Sequence, residues 1–250
     1  PQNVVVSFPA GSTTQTVNVP VVDDVIDEFD EAFDVTLNTP NLVTISSAGS
    51  VGSATITDND VTPTVEFDNP TITQSEGTAT VTLTVSLNNS AGSGKPVTIP
   101  FTVNASSTAI NPTDYTVSGN AGGNFPTILA VTMPPGINST TITLNIVDDN
   151  ISEVTETIVV NLGSPTNATL AAQNTTSTVN ITDNENDPTV SLALSATLNA
   201  GGGVDEGGTI TATLNLTNPS SRTITGRLAL GGNNATLQPN DFTNANNNTA

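Results

Sequence analysis

The run Asp23-Asp24-Val25-Ile26-Asp27-Glu28-Phe29-Asp30-Glu31 returns as Asp148-Asp149-Asn150-Ile151-Ser152-Glu153-Val154-Thr155-Glu156. The same step of 125 residues carries Asp58-Asn59-Asp60 onto Asp183-Asn184-Glu185 and Pro63-Thr64-Val65 onto Pro188-Thr189-Val190. Carboxylates gathered by a fold repel one another strongly unless a hard divalent cation lies among them. A fixed spacing that carries acidic clusters with it therefore predicts tandem domains, each with the same cation-seeking loops. Ca²⁺ takes roughly six to eight oxygens, carboxylate and carbonyl mixed, whereas Mg²⁺ prefers few protein ligands plus waters. Zn²⁺ would favour His and Cys, and the chain has neither. Calcium is the expected ion. Isolated acids such as Asp34, Glu66 and Asp68 read instead as solvated surface charge.

Composition narrows the class. Lys95, Arg222 and Arg227 are the only basic residues against 23 acidic ones, a formal charge of -20. Nucleic acid and anionic membrane surfaces, which are gripped through Lys and Arg, are excluded as partners. Without Cys or His there are no disulfides, no thiolate metal sites and no imidazole catalysis. Paired carboxylates could serve a glycosidase, but the chain has no Trp to stack on a sugar, and Tyr115 is its only Tyr. No enzyme is expected. As Lys95 is the only lysine, Lys–Asn isopeptide bonds could not staple more than one domain. No apolar run reaches the ~18 residues of a spanning helix. A start at Pro1, with neither Met nor a signal peptide, is expected of a processed or excised piece.

The elements that must position these acids are strands. Val81, Leu83, Val85 and Leu87 alternate with Thr and Ser, as do Ile142, Leu144 and Ile146, Ile210, Ala212, Leu214 and Leu216, and Val17, Val19 and Val21 with their polar neighbours. One apolar and one polar face is the mark of half-buried antiparallel strands. Gly, Pro and Asn punctuate them, as at Pro134-Pro135-Gly136 and Gly201-Gly202-Gly203. The expected fold is all-β: tandem immunoglobulin-like antiparallel β-sandwiches with a period of about 125 residues. A complete repeat is expected over residues 63–187. Residues 1–62 read as the C-terminal half of a sandwich and 188–250 as the N-terminal half, completed by residues 1–62 of the next copy. Half a sandwich leaves strand edges and an apolar face bare. Either the chain is one period of a longer covalent array, or separate subunits complete each other head to tail. Both describe a one-dimensional object whose partners are copies of itself.

The ordered landmarks resemble the Calx-beta domain over the whole chain. They are an early Glu-Gly (Glu76-Gly77, Glu206-Gly207), an Asp-aromatic pair (Asp114-Tyr115, Asp241-Phe242), the Asp-Asp-x3-Glu-x2-Glu run, and the closing Ile-Thr-Asp-Asn-Asp/Glu (Ile56 to Asp60, Ile181 to Glu185). The resemblance implies that loops at one end of each sandwich bind calcium. For the complete repeat it implies Glu76, Asp114, Asp148, Asp149, Glu153, Glu156, Asp183 and Glu185 as ligands, with Asp187 beside them in the linker. For the split repeat it implies Glu206 and Asp241 together with Asp23, Asp24, Glu28, Glu31, Asp58 and Asp60. The complete repeat carries Ser152 and Thr155 where the other run has Asp27 and Asp30, so the split repeat is expected to bind more tightly or to hold more ions.

The expected function is structural: a calcium-stabilised stretch of a large bacterial-type surface or filament protein, secreted or displayed at the cell surface as a filament, adhesin stalk or matrix component. One alternative is an adhesion module that grips glycan or protein through the loops near Asn120–Asn124 and Gly231–Asn234. Another is a calcium-sensing domain pair.

Overall fold

A computed structural model of the chain describes residues 3–38, 40–118, 129–205 and 207–228. Glu206, Asp241 and the loops Asn120–Asn124 and Gly231–Asn234 lie outside them. The described residues form strands and turns without a helix, so no helix is long and apolar enough to cross a membrane. The chain divides into two units, Pro1–Asn150 with Val154–Glu185, and Ile151–Glu153 with Asn186–Ala250.

The first unit opens with the hairpin β1 (Glu31–Thr36) and β2 (Val51–Ile56), followed by a two-sheet sandwich. One sheet runs in the order β4 (Thr71–Ser75), β12 (Thr176–Thr182), β10 (Glu156–Leu162), β6 (Val97–Val103) and β8 (Leu129–Met133). The other runs β11 (Thr169–Leu170), β3 (Thr64–Phe67), β5 (Thr80–Leu87), β9 (Ser139–Ile146) and β7 (Tyr115–Val117). The alternation read from the sequence is the burial pattern of these strands. In β5 Val81, Leu83, Val85 and Leu87 are buried while Thr80 and Thr82 are exposed, and β9 does the same with Ile142, Leu144 and Ile146. Ile99, Phe101, Ile158, Val160, Val179 and Ile181 close the core from the other sheet. Asp68-Asn69-Pro70 separates β3 from β4, which lies in the opposite sheet. Proline cannot donate to a ladder, and the buried Ser177 hydroxyl donates to the Asn69 carbonyl at 2.8 Å, satisfying the crossing backbone.

The 125-residue period is visible in the pairing. Glu31 lies opposite Ile56 as Glu156 lies opposite Ile181, and Phe33 opposite Ala54 as Ile158 opposite Val179. In the second unit β13 (Val190–Ala196) pairs with β14 (Ile210–Leu216), placing Val190 opposite Leu216 and Leu192 opposite Leu214. That is the register of Val65 with Leu87 and Phe67 with Val85. One expectation of the sequence reading is not met. The alternating Val17-Val19-Val21 segment forms no strand, although its counterpart Ile142-Leu144-Ile146 does. In the complete sandwich β9 is held between β5 and β7. Residues 1–62 contain no counterpart of either, and a segment without a ladder partner is not a strand.

Candidate metal centre

Strands β4 and β12 run parallel in register, ending with Thr182 opposite Ser75. Both therefore release their next residues at the same end of the sandwich: Glu76 after β4, and Asp183 to Glu185 after β12. The Glu76 amide donates to the Thr182 carbonyl at 3.0 Å, pinning that acid beside the other two. Glu76, Asp183 and Glu185 each present a carboxylate oxygen, and the three oxygens lie within 4.8 Å of one another. Glu76 is only 5% exposed. Its Oε1, Asp183 Oδ1 and Glu185 Oε2 are buried without a hydrogen-bond partner.

Buried carboxylate oxygens are normally satisfied, and orphaned ones cost free energy. Three neighbouring carboxylates, each with a buried unpartnered oxygen, fit a cation of the hard, oxygen-seeking kind. Burial, then a side-chain hydrogen bond with Glu185 and the charges of Glu185, Asp183 and Asp149, pushes the Glu76 carboxyl up to about 8. Without a cation Glu76 is thus protonated at pH 7, whereas a cation requires the carboxylate. Cation binding at pH 7 is expected to release about one proton at this site, a release that shrinks as the pH is raised past 8. The dependence of calorimetric binding enthalpy on buffer ionisation measures it. Glu76→Gln should abolish it.

The other acids of the complete repeat are distributed around this point. Asp148 accepts a hydrogen bond from Asn184 Nδ2 at 3.2 Å, tying the acidic run to the closing motif. Asp149 lies near enough to raise Glu76. Asp114 caps its own turn by accepting from the Ile110 amide at 2.6 Å, and it brings a carboxylate oxygen within 4.8 Å of one from Glu156. Tyr115, next in sequence, is buried, and that burial with the Asp114 charge pushes its phenol up to about 12. Glu153 belongs to the second unit. Asp187, also in the second unit, pairs with Arg222.

The six acids expected from residues 1–62 line one cleft. Asp23, Asp24, Glu28, Glu31, Asp58 and Asp60 line a space of about 350 Å³ together with Val21, Phe29 and Ile56. Asn59 Nδ2 donates to Asp23 at 3.3 Å, the same bond that Asn184 makes to Asp148 in the complete repeat. Partial burial, then Asp24, Glu31, Asp58 and Asp60, raises the Glu28 carboxyl; partial burial, then Asp58, Asp24, Asp23 and Asp27, raises that of Asp60.

Two residues that matter here did not stand out in the sequence. Lys95 Nζ lies 2.8 Å from Asp27 Oδ1, 3.8 Å from Asp58 Oδ2 and 5.3 Å from the Phe29 ring centroid. The Asp27 carbonyl accepts from the Gly94 amide at 3.0 Å and from Ser93 Oγ at 3.3 Å. A Cβ at Gly94 would stand 2.6 Å from Glu28 Cγ, so any larger residue there would displace the Glu28 side chain. The second unit repeats the grip. The Ser152 carbonyl accepts from the Ser221 amide and Ser220 Oγ, both at 3.1 Å, and Arg222 reaches Ser152 Oγ at 3.3 Å and the Asp187 carboxylate. Two of the chain's three cationic side chains thus reach a side chain of an acidic run whose backbone the adjoining serine and glycine groups hold. The signal was present as Ser93-Gly94-Lys95 and Ser220-Ser221-Arg222, but its spacing is not 125 residues and it escapes a search at the fixed period.

The sequence profile of the Calx-beta domain matches residues 1–61 and again 58–185. Among solved structures, the apo form of the Calx CBD1 domain is similar at 18% identity and a TM-score of 0.41, over 50% of this chain and 100% of that one. The CBD12 pair from CALX1.2 is similar at 15% identity and 0.41, over 60% and 68% of the two chains. The calcium binding domain CBD12 of CALX1.1 is similar at 19% and 0.39, over 48% and 44%. No curated protein sequence matches the chain.

Proposed function

The chain belongs to the Calx-beta domain family, and on that footing we propose that it is a calcium-stabilised structural module: a stretch of a large extracellular surface protein, filament, adhesin stalk or matrix component. The observation that carries this reading is the set of orphaned buried oxygens on Glu76, Asp183 and Glu185. These three residues would hold one ion. The cleft acids Asp23, Asp24, Glu28, Glu31, Asp58 and Asp60 would hold more, with Lys95 taking up the charge of Asp27 beside them. The ion supplies neutralising charge and oxygen coordination. The protein supplies two strand ends in parallel register, which deliver acids distant in sequence to the same place.

The role is mechanical. No His or Cys is available as base or nucleophile, and in the complete sandwich Glu76, Asp183 and Glu185 converge on one another. Sites of this kind in extracellular modules operate at calcium concentrations of roughly 10⁻⁴–10⁻³ M, matched to a secreted or surface-displayed array. Binding to the folded state alone stabilises it by about 2.7 kcal/mol at a hundredfold excess over Kd. Thermal melting of the full chain with calcium, and again with chelator, tests the reading. A rise of several degrees with calcium, not reproduced by magnesium, is expected; coincident melts in calcium and chelator would contradict it.

A further inference from the structure

We infer that Lys95 and Asp27 close a covalent cross-link, an isopeptide amide from Nζ to Cγ that ties the first acidic run to the loop preceding β6. Neither residue is among the acids proposed to hold calcium, so the inference stands apart from that reading.

The pair is held as a reacting pair must be. Nζ lies 2.8 Å from Asp27 Oδ1, and Asp27 is 2% exposed. The centroid of the Phe29 ring is 5.3 Å from Nζ, which puts an apolar surface beside the nitrogen. One buried hydroxyl joins the two backbones: Ser93 Oγ donates to the Asp27 carbonyl at 3.3 Å and accepts from the Lys95 amide at 3.0 Å. Groups oriented in this way react as though present at about 10⁵–10⁸ M. Burial also keeps out the water that would reverse the step.

The ion pair leaves a cost that the amide removes. Asp27 Oδ2 is buried without a hydrogen-bond partner, and a buried charge only partly satisfied is unfavourable. Condensation turns two charged groups into one neutral amide. The backbone grip does not need the charges. In the second unit the Ser152 carbonyl accepts from the Ser221 amide, and Arg222 reaches Ser152 Oγ, a pair that cannot form an amide. The reactive pair is what the first grip has in addition.

The step balances within the pair. One ammonium proton passes to Oδ1, with Asp58 Oδ2, 3.8 Å from Nζ, in reach to relay it. The freed lone pair attacks Cγ and forms the C–N bond. A second proton follows to Oδ1, the C–Oδ1 bond breaks and water leaves. Oδ2 remains as the amide oxygen, and the third proton as the amide N–H. Residues 27 and 95 are 68 apart, and β1 to β5 lie between them. Tension along the chain would then pass through the amide and leave that segment unextended.

The intact mass of the full chain, purified folded and then denatured, reads the bond directly. The wild type is expected to be lighter than its sequence by one water. Lys95→Arg keeps the cation, and Asp27→Ser reproduces the residue at position 152; both should show the full sequence mass. Fragmentation of a digest by a Glu-specific protease should give a branched peptide joining Lys95 to Asp27. A wild type at its full sequence mass overturns the inference, as does a water loss that survives in Lys95→Arg or maps to a succinimide. The same masses are expected in calcium and in chelator, so this result and the calcium titration can fail separately.

Discussion

Leu144→Ala is expected to lower the stability of the complete sandwich by about 3 kcal/mol, within the roughly 2–5 kcal/mol range for such truncations. Leu144 is fully buried in the middle of β9, opposite Val81. Truncation removes apolar burial and leaves a void between two sheets that cannot collapse, because both faces are held by ladders. For a domain of this size the melting temperature should fall by about 10 °C, at several degrees per kcal/mol. The control is Val19→Ala, the same position one period earlier. Val19 is 53% exposed, so its truncation should leave the melting nearly unchanged. Equal effects at the two positions would contradict the assignment of Leu144 to the core and Val19 to an exposed position.

Lys95→Met should open the loop that grips the first acidic run. Asp27 is buried, and Lys95 is its ion-pair partner at 2.8 Å. Removing one partner of a fully buried pair costs roughly 3–5 kcal/mol, most of it the charge left behind. Because Lys95 retains some contact with water, about 2 kcal/mol is the better figure here. Amide exchange reads it directly: the Gly94 amide, bonded to the Asp27 carbonyl, should exchange about 30-fold faster at that cost. Adding Asp27→Ser reproduces the residue found at position 152 and should recover most of the protection. Unchanged exchange in Lys95→Met would show that the backbone bonds suffice without the charge.

How much of this was legible in the sequence follows from which interactions are periodic. The alternation of Val81-Leu83-Val85-Leu87 gave strand and face together, because a two-sided sheet maps period two directly onto burial. The acidic sets could be grouped because Asp183 to Glu185 follows a strand in fixed spacing and Glu76 follows another. That these strands run parallel and end together, which creates the site, is a tertiary fact invisible to spacing. The Val17 to Val21 alternation suggested a strand correctly for the sandwich it resembles, but a strand is a relation between two segments and its partner is not in reach within residues 1–62. The role of Lys95 was not legible because its partner Asp27 lies 68 residues away and is replaced by Ser in the second run, so no repeat advertised the pair.

The claim at the centre of this account is that Glu76, Asp183 and Glu185 form a calcium site. The most direct test is calcium titration calorimetry of the full chain beside the Glu76→Gln/Asp183→Asn/Glu185→Gln variant, at pH 7 in two buffers of different ionisation enthalpy. The account predicts saturable calcium binding, loss of one class of sites in the variant, and a release of about one proton in the wild type that the variant lacks. Identical isotherms for the two proteins would contradict it, because the three orphaned carboxylates would then bind nothing.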